Sequence, residues 1–172
     1  AALRGGGIVA VKGIGGYHLA VLADDDDAVA TLRRRKHRDE KPFAVLVRDE
    51  EEAGEFAEVD EAAADALASW RAPVVLCPRR PEAKVAAAVA PDLPELGLVL
   101  AYTPLHHLLL AEVGRPLVLT SANVADEPIA HRDDDARARA LAENARRSRG
   151  MADAQQYGPP GNPSVATGGL GT

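Results

Sequence analysis

The chain has 172 residues, 47% apolar and 27% charged, which suits one soluble globular domain with a sizeable core. A net charge of −6 argues against a protein that coats nucleic acid, although a local basic cluster could still face an anion. The single cysteine, Cys77, excludes an internal disulfide and a multi-cysteine zinc site. Aromatics are only 3%, so the core must be built from Ala, Val and Leu.

Residues 8–11 form a short apolar run before Gly13, Gly15 and Gly16, which predicts a buried strand entering a tight turn. A second strand is expected over residues 17–22. The acidic run 24–27 supplies N-cap candidates and favourable charge for a helix start. Ala28, Val29 and Leu32 follow at helical spacing, and residues 33–36 place cations in the last turn, where the helix dipole favours them. Residues 43–47 read as a strand, 49–57 and 60–70 as helices rich in Ala and Glu. Strands are expected again at 74–77, with Cys77 as a buried strand residue, and at 98–100. Thr103-Pro104 is a helix start, with Thr as N-cap and Pro at the first helical position, and Gly114 is its stop. Residues 117–119 form a strand ending at Thr120-Ser121-Ala122-Asn123, and a last helix is expected from Asp133 to about Arg146. Strands and helices intermix, so the fold class is α/β (α+β), a sheet covered by helices.

Residues 1–147 read as the folded domain. Residues 148–172, dominated by Gly, Pro, Gln and Ser without apolar periodicity, read as a disordered tail. No signal peptide and no apolar run of about 18 residues is recognisable, which makes the cytoplasm the expected compartment, without a membrane. The chain does not begin with Met and its first residues already lead into a strand, so it reads as a piece of a longer protein.

Three segments carry chemistry. Arg33-Arg34-Arg35-Lys36-His37-Arg38-Asp39-Glu40-Lys41-Pro42-Phe43 concentrates cations between a helix and a strand of an acidic chain. It is either a solvated helix end or a polyphosphate clamp, since Arg forks and Lys point charges match phosphate oxygens; composition does not decide. Lys12-Gly13-Ile14-Gly15-Gly16-Tyr17-His18-Leu19 is a glycine-rich turn after a strand, with the spacing of neither a Walker A loop nor a dinucleotide fingerprint. Thr120-Ser121-Ala122-Asn123 puts hydroxyl and amide groups where a strand leaves the sheet, a ligand position in open α/β sheets and equally an ordinary turn. His106 and His107 point about 100° apart on a helix and cannot easily share a metal ion, so no metal site is expected from them.

In order, KGIGGYHL, RKHR…KPFAVLV, PDLPELGLVLAYTPLHHLLL, LTSAN and EPIA resemble the YrdC-like family. More narrowly, they resemble the YrdC-like domain of the HypF-type hydrogenase-maturation carbamoyltransferases, over about residues 3–145. Asp39, Ala101 and Ala125-Asp126 depart from the family's usual Pro, Pro and Ser-Gly, and the tail does not match the family's closing strands.

The resemblance implies a twisted open sheet flanked by helices. It also implies a reaction, the joining of carbamate to ATP, with Mg²⁺, to give carbamoyl-AMP and pyrophosphate. Lys36 and Arg38 would be the catalytic cations. Lys36, Arg38, Lys41, Ser121 and Asn123 would bind the nucleotide, and Lys12, Tyr17, His18, Thr103 and His106 the small substrate. Its partners would be acylphosphatase and carbamoyl-transfer domains of a parent enzyme and a HypE-type acceptor, in [NiFe]-hydrogenase maturation. Two other readings belong to the same fold: a threonylcarbamoyl-AMP synthase of tRNA modification, and a non-catalytic module that binds double-stranded RNA. The charge of −6 makes the RNA reading one of weak, salt-sensitive binding.

Overall fold

A computed structural model describes residues 2–38 and 40–123, with 132–134 and 138. The chain separates into two units, Ala1–Arg132 and Asp133–Thr172, and the architecture below is that of the first. Most of the helix expected after Asp133, the EPIA motif and the tail from 148 onward lie outside the described residues.

Six strands form one mixed sheet: β1 (Val9–Gly13), β2 (Gly16–Leu22), β3 (Ala44–Val47), β4 (Val75–Pro78), β5 (Glu95–Leu100) and β6 (Leu117–Ser121). Their order is β1-β2-β6-β3-β5-β4, and β3 with β5 is the parallel pair, the other neighbours being antiparallel. Four α-helices cover the sheet: α1 (Asp26–Lys36), α2 (Glu50–Phe56), α3 (Glu61–Leu67) and α4 (Pro104–Val113). This is the open α/β sheet expected, with β5 longer than the sequence suggested and two short 3-10 turns, Leu3–Gly5 and Ala87–Val89, that it did not suggest.

Helix starts follow from local chemistry. Asp25, Asp49, Asp60 and Thr103 each accept a hydrogen bond from the backbone N–H three residues on, at 2.9, 2.9, 2.8 and 3.1 Å, which satisfies an otherwise orphaned donor. Gly114, at φ 70°, ends α4 in the left-handed region, where a side chain would be strained. α1 ends differently, on His37 at φ 47°, so the chain reverses sharply between Lys36 and Arg38.

Side-chain alternation along the strands separates two cores. Val21, Val45, Val47, Cys77, Leu96, Leu98 and Val118 pack with residues of α1, α2 and α3 on one face. Ala20, Leu22, Leu46, Val99 and Leu117 pack with Leu110 and Val113 of α4 on the other. Cys77 is buried as expected, and burial with the nearby Asp60 and Glu95 raises its thiol pKa. It is a core side chain and not a nucleophile.

Candidate functional site at the end of β6

The C-terminal end of β6 is where the two faces meet. From the α1 side, the Lys36 ammonium donates to the Ser121 carbonyl at 2.7 Å, to the Asn123 side-chain oxygen at 3.2 Å and to the Asn123 carbonyl. Ser121 Oγ in turn donates to Asn123 Oδ1. Lys36 is only 7% exposed. Burial, and then the neighbouring Arg38 charge, lower its pKa, and among the described residues no carboxylate pairs with it.

The basic segment is not a solvated helix end. Arg33 is 9% exposed and donates to the carbonyls of Ala88 at 2.6 and 3.0 Å, Arg38 at 2.6 Å and Lys41 at 3.1 Å. Its guanidinium lies 4.7 Å from the Phe43 ring centroid, and that of Arg38 lies 5.3 Å from it. Arg33 ties Arg38 and Lys41 to the 3-10 turn at 87–89. The signal was present: Val29, Leu32, Arg33 and Lys36 recur at helical spacing on one face, all buried. Arg34, by contrast, is exposed. Arg38 is half-buried, donating to Lys41 O at 3.1 Å and Pro42 O at 2.7 Å, which leaves part of its fork without a partner among the described residues. The Lys41 side chain is exposed.

His18 and His106 approach from the α4 side. His18 pairs across the sheet with Ser121, and its parity puts it on the face of Ala20 and Leu22. His106 lies one turn before Leu110 on the inner side of α4, 3% exposed, while His107 is exposed; the two rings diverge as expected. Burial lowers the pKa of both His18 and His106; a backbone hydrogen bond to Gly16 partly opposes this for His18, and nearby His18 and His107 add to it for His106. Thr103 is buried and spends its hydroxyl on the α4 cap. Lys12 and Tyr17 do not join His18. They oppose each other in the hairpin, with the ammonium 5.6 Å from the ring centroid, and alternation turns them to the α1 face. Tyr17 still reaches the site through its backbone, accepting from Ala122 N at 2.7 Å.

Among the described residues no three His, Cys, Asp or Glu converge as a metal cluster, and no helix is long and apolar enough to cross a membrane.

Residues 1–150 match the Sua5/YciO/YrdC family, described as "Telomere recombination", and the chain belongs to it. Within that family it is similar to the HypF carbamoyltransferases. The "Carbamoyltransferase HypF" of Rhizobium leguminosarum bv. viciae is 46% identical over 149 residues, covering 83% of this chain and 20% of that protein. The crystal structure of full-length HypF in its phosphate- and nucleotide-bound form is 50% identical with a TM-score of 0.75, over 78% of this chain and 18% of that one. Sua5 of P. abyssi complexed with L-threonine shares the fold alone, at 22% identity and a TM-score of 0.67 over 75% of this chain and 38% of that one. The chain thus spans about a fifth of the length of the curated HypF relatives it matches.

Proposed function

We propose that this chain forms carbamoyl-AMP from carbamate and ATP, as the adenylating module of a HypF-type carbamoyltransferase. One observation carries the reading. Lys36 holds a Ser-x-Asn turn at a strand end, and neither it nor Arg38, two residues on, takes a carboxylate partner among the described residues of an acidic chain. Uncompensated cations beside oriented hydroxyl and amide groups suit a polyphosphate.

In the reaction a carbamate carboxylate oxygen attacks the α-phosphorus of ATP. The new P–O bond forms as the bond to the β-phosphate oxygen breaks, and pyrophosphate leaves with that electron pair. No proton moves, so no general base is required. The barrier is repulsion between anions, which cations lower by position and charge; Mg²⁺, held by the triphosphate's own oxygens, would supply further charge neutralisation. In this reading Arg38 and Lys41 meet the phosphates. Lys36 holds the Ser121–Asn123 turn with its three N–H groups and turns to the nucleotide only by exchanging carbonyls for phosphate oxygens. In this reading the other domains of a longer enzyme supply the carbamate and pass the carbamoyl group to a HypE-type acceptor for hydrogenase maturation.

Calorimetric titration with MgATP tests the assignment. Arg38→Ala should weaken ATP about 10- to 150-fold, the range for one charge-assisted contact. Exposed Arg34→Ala serves as the control. Equal losses would indicate a diffuse patch, and no loss in either would remove the clamp.

A further inference from the structure

We propose that two copies of this chain associate edge to edge, β4 pairing antiparallel with β4 of a second copy about a two-fold axis at Val75. The inference is independent of the nucleotide reading and starts from the backbone at the rim of the sheet.

β4 ends the strand order, beside β5. Arg79 N–H donates to Pro94 O at 2.8 Å, on the β5 side. Alternation therefore turns the backbone groups of Val75 and Cys77 to β5 and those of Val74, Leu76 and Pro78 outward. Residues 56–58 cover the far half of that outer edge: Glu58 N–H donates to Pro78 O at 2.8 Å, and Arg80 N–H to Phe56 O at 3.0 Å. Val74 and Leu76 have no such cover, and among the described residues their outward N–H and C=O groups take no partner. Open groups along an edge are a template for another strand.

The side chains favour the same contact. Val74 and Leu76 are 54% and 61% exposed and lie across Gly97 of β5, where a Cβ would come 2.9 Å from Val74 Cγ1 and 3.6 Å from Leu76 Cδ2. Gly97 is on the face of Val99, yet neither side chain joins the core cluster under α4. Sheet edges are commonly protected by charge, but residues 72–78 carry none. The flanking arginines are drawn off, Arg71 to the Trp70 ring, 5.0 Å from its centroid, and Arg79 to Val85 O at 2.7 Å. Copies of a chain with net charge −6 repel each other least where they meet through a neutral surface. The opposite edge strand, β1, carries the exposed Lys12.

A second copy fits this edge better than a long strand. A strand running on past Leu76 would meet residues 56–58. β4 instead bends away at its own start, through Pro73 and a turn in which Ala72, at φ 44°, donates its N–H to Ser69 O at 3.0 Å. An axis at Val75 sets Val74 opposite Leu76 of the second copy, and Leu76 opposite its Val74. Every open N–H then meets an open C=O, and the exposed side chains become apolar cross-strand neighbours. The contact uses the same patch on both copies, so it closes at two chains.

Sedimentation velocity on the full chain over a range of concentrations, with amide exchange followed at Leu76, tests the pairing. The mass should rise with concentration from one chain to two and stop there, and exchange at Leu76 should slow over the same range. Leu76→Lys puts a charge on the edge and should raise the dimer dissociation constant at least about 10-fold. Its urea midpoint should stay close to that of the unmodified chain, because the side chain is exposed. Leu108→Lys, at another exposed apolar position, should leave association unchanged. One-chain mass at every concentration, growth beyond two chains, or a dissociation constant indifferent to Leu76→Lys overturns the proposal. Equal weakening by Leu108→Lys would mean general apolar adhesion and overturns it as well. So does slow exchange at Leu76 that is independent of concentration, since the chain's own residues would then cover the edge.

Discussion

At one end of the strands Arg115 sits 2.6 Å from Asp24 and Arg48 3.3 Å from Glu52, in a broad cleft that also takes in Glu55, Glu82 and Lys84. At the other end, among the described residues, Lys36 and Arg38 meet only carbonyl and amide oxygens. Both ends are rich in charge. The difference lies in compensation. Where cation and carboxylate already neutralise each other, little field is left for a ligand. Where buried cations are held by neutral dipoles, an anion gains both charge and donors. The open end also gathers Lys36 and the two histidines, whose pKa values burial lowers. Perturbed groups cluster where chemistry is done.

The largest effect expected from breaking this contrast is at Arg33. Arg33→Ala strips donors from the carbonyls of Ala88, Arg38 and Lys41 and opens a gap beside Phe43. Loss of such a buried network should cost about 2–4 kcal/mol in urea unfolding. ATP affinity should fall as well, because the loop carrying Arg38 and Lys41 loses its anchor. A stable Arg33→Ala chain would mean that the segment is a solvated helix end after all.

Acid should reveal the histidines next. Both His18 and His106 have pKa values lowered from 6.5, so below that pH the unfolded chain binds protons that the folded chain refuses. The stability this gives is complete above 6.5 and is lost as pH falls toward the folded values. Urea midpoints at pH 7.5 and 5.5 should therefore diverge, and His106→Phe should narrow the gap. An unchanged gap would place the acid sensitivity elsewhere.

Much of this was legible in the sequence. Strand and helix positions followed from apolar periodicity and from caps such as Asp25 and Thr103, because those signals are local. The junction of Lys36 with Ser121 and Asn123 came only from resemblance, since no local rule joins positions 85 and 87 residues apart. Two features lay beyond local rules. For Arg33 the sequence leaves a solvated helix end and a phosphate clamp both open, because a buried guanidinium resembles an exposed one until its carbonyl partners, more than 50 residues away at Ala88, are known. Lys12, Tyr17 and His18 looked like one group because they share a motif, but neighbouring strand residues point to opposite faces.

The paired end should respond more weakly. In the Arg115–Asp24 pair the side chains are 42% and 24% exposed, and an ion pair so open to water contributes little. Arg115→Ala should lower stability by under about 1 kcal/mol and leave MgATP affinity within about twofold. A large loss of ATP binding would dissolve the distinction between the two ends.

The smallest effect is expected at Arg34, and it is the most exacting comparison because it lies within the basic run itself. Its guanidinium reaches only Thr31 Oγ1, at 2.8 Å on an exposed stretch of α1, whereas Arg33 and Lys36 lie on the buried side of the same helix. Arg34→Ala should change stability by no more than about 0.5 kcal/mol, the usual range for surface substitutions. It does remove one charge near the phosphates, so a small long-range loss of ATP affinity is expected at low salt and should vanish at 0.15 M, where the Debye length is about 8 Å. The Arg38→Ala loss should survive the same salt, because it removes a contact. Titrating all three chains at two salt concentrations separates the cases. A loss at Arg34 that persists in salt would mean that the run acts as a charged surface, with no defined clamp in it.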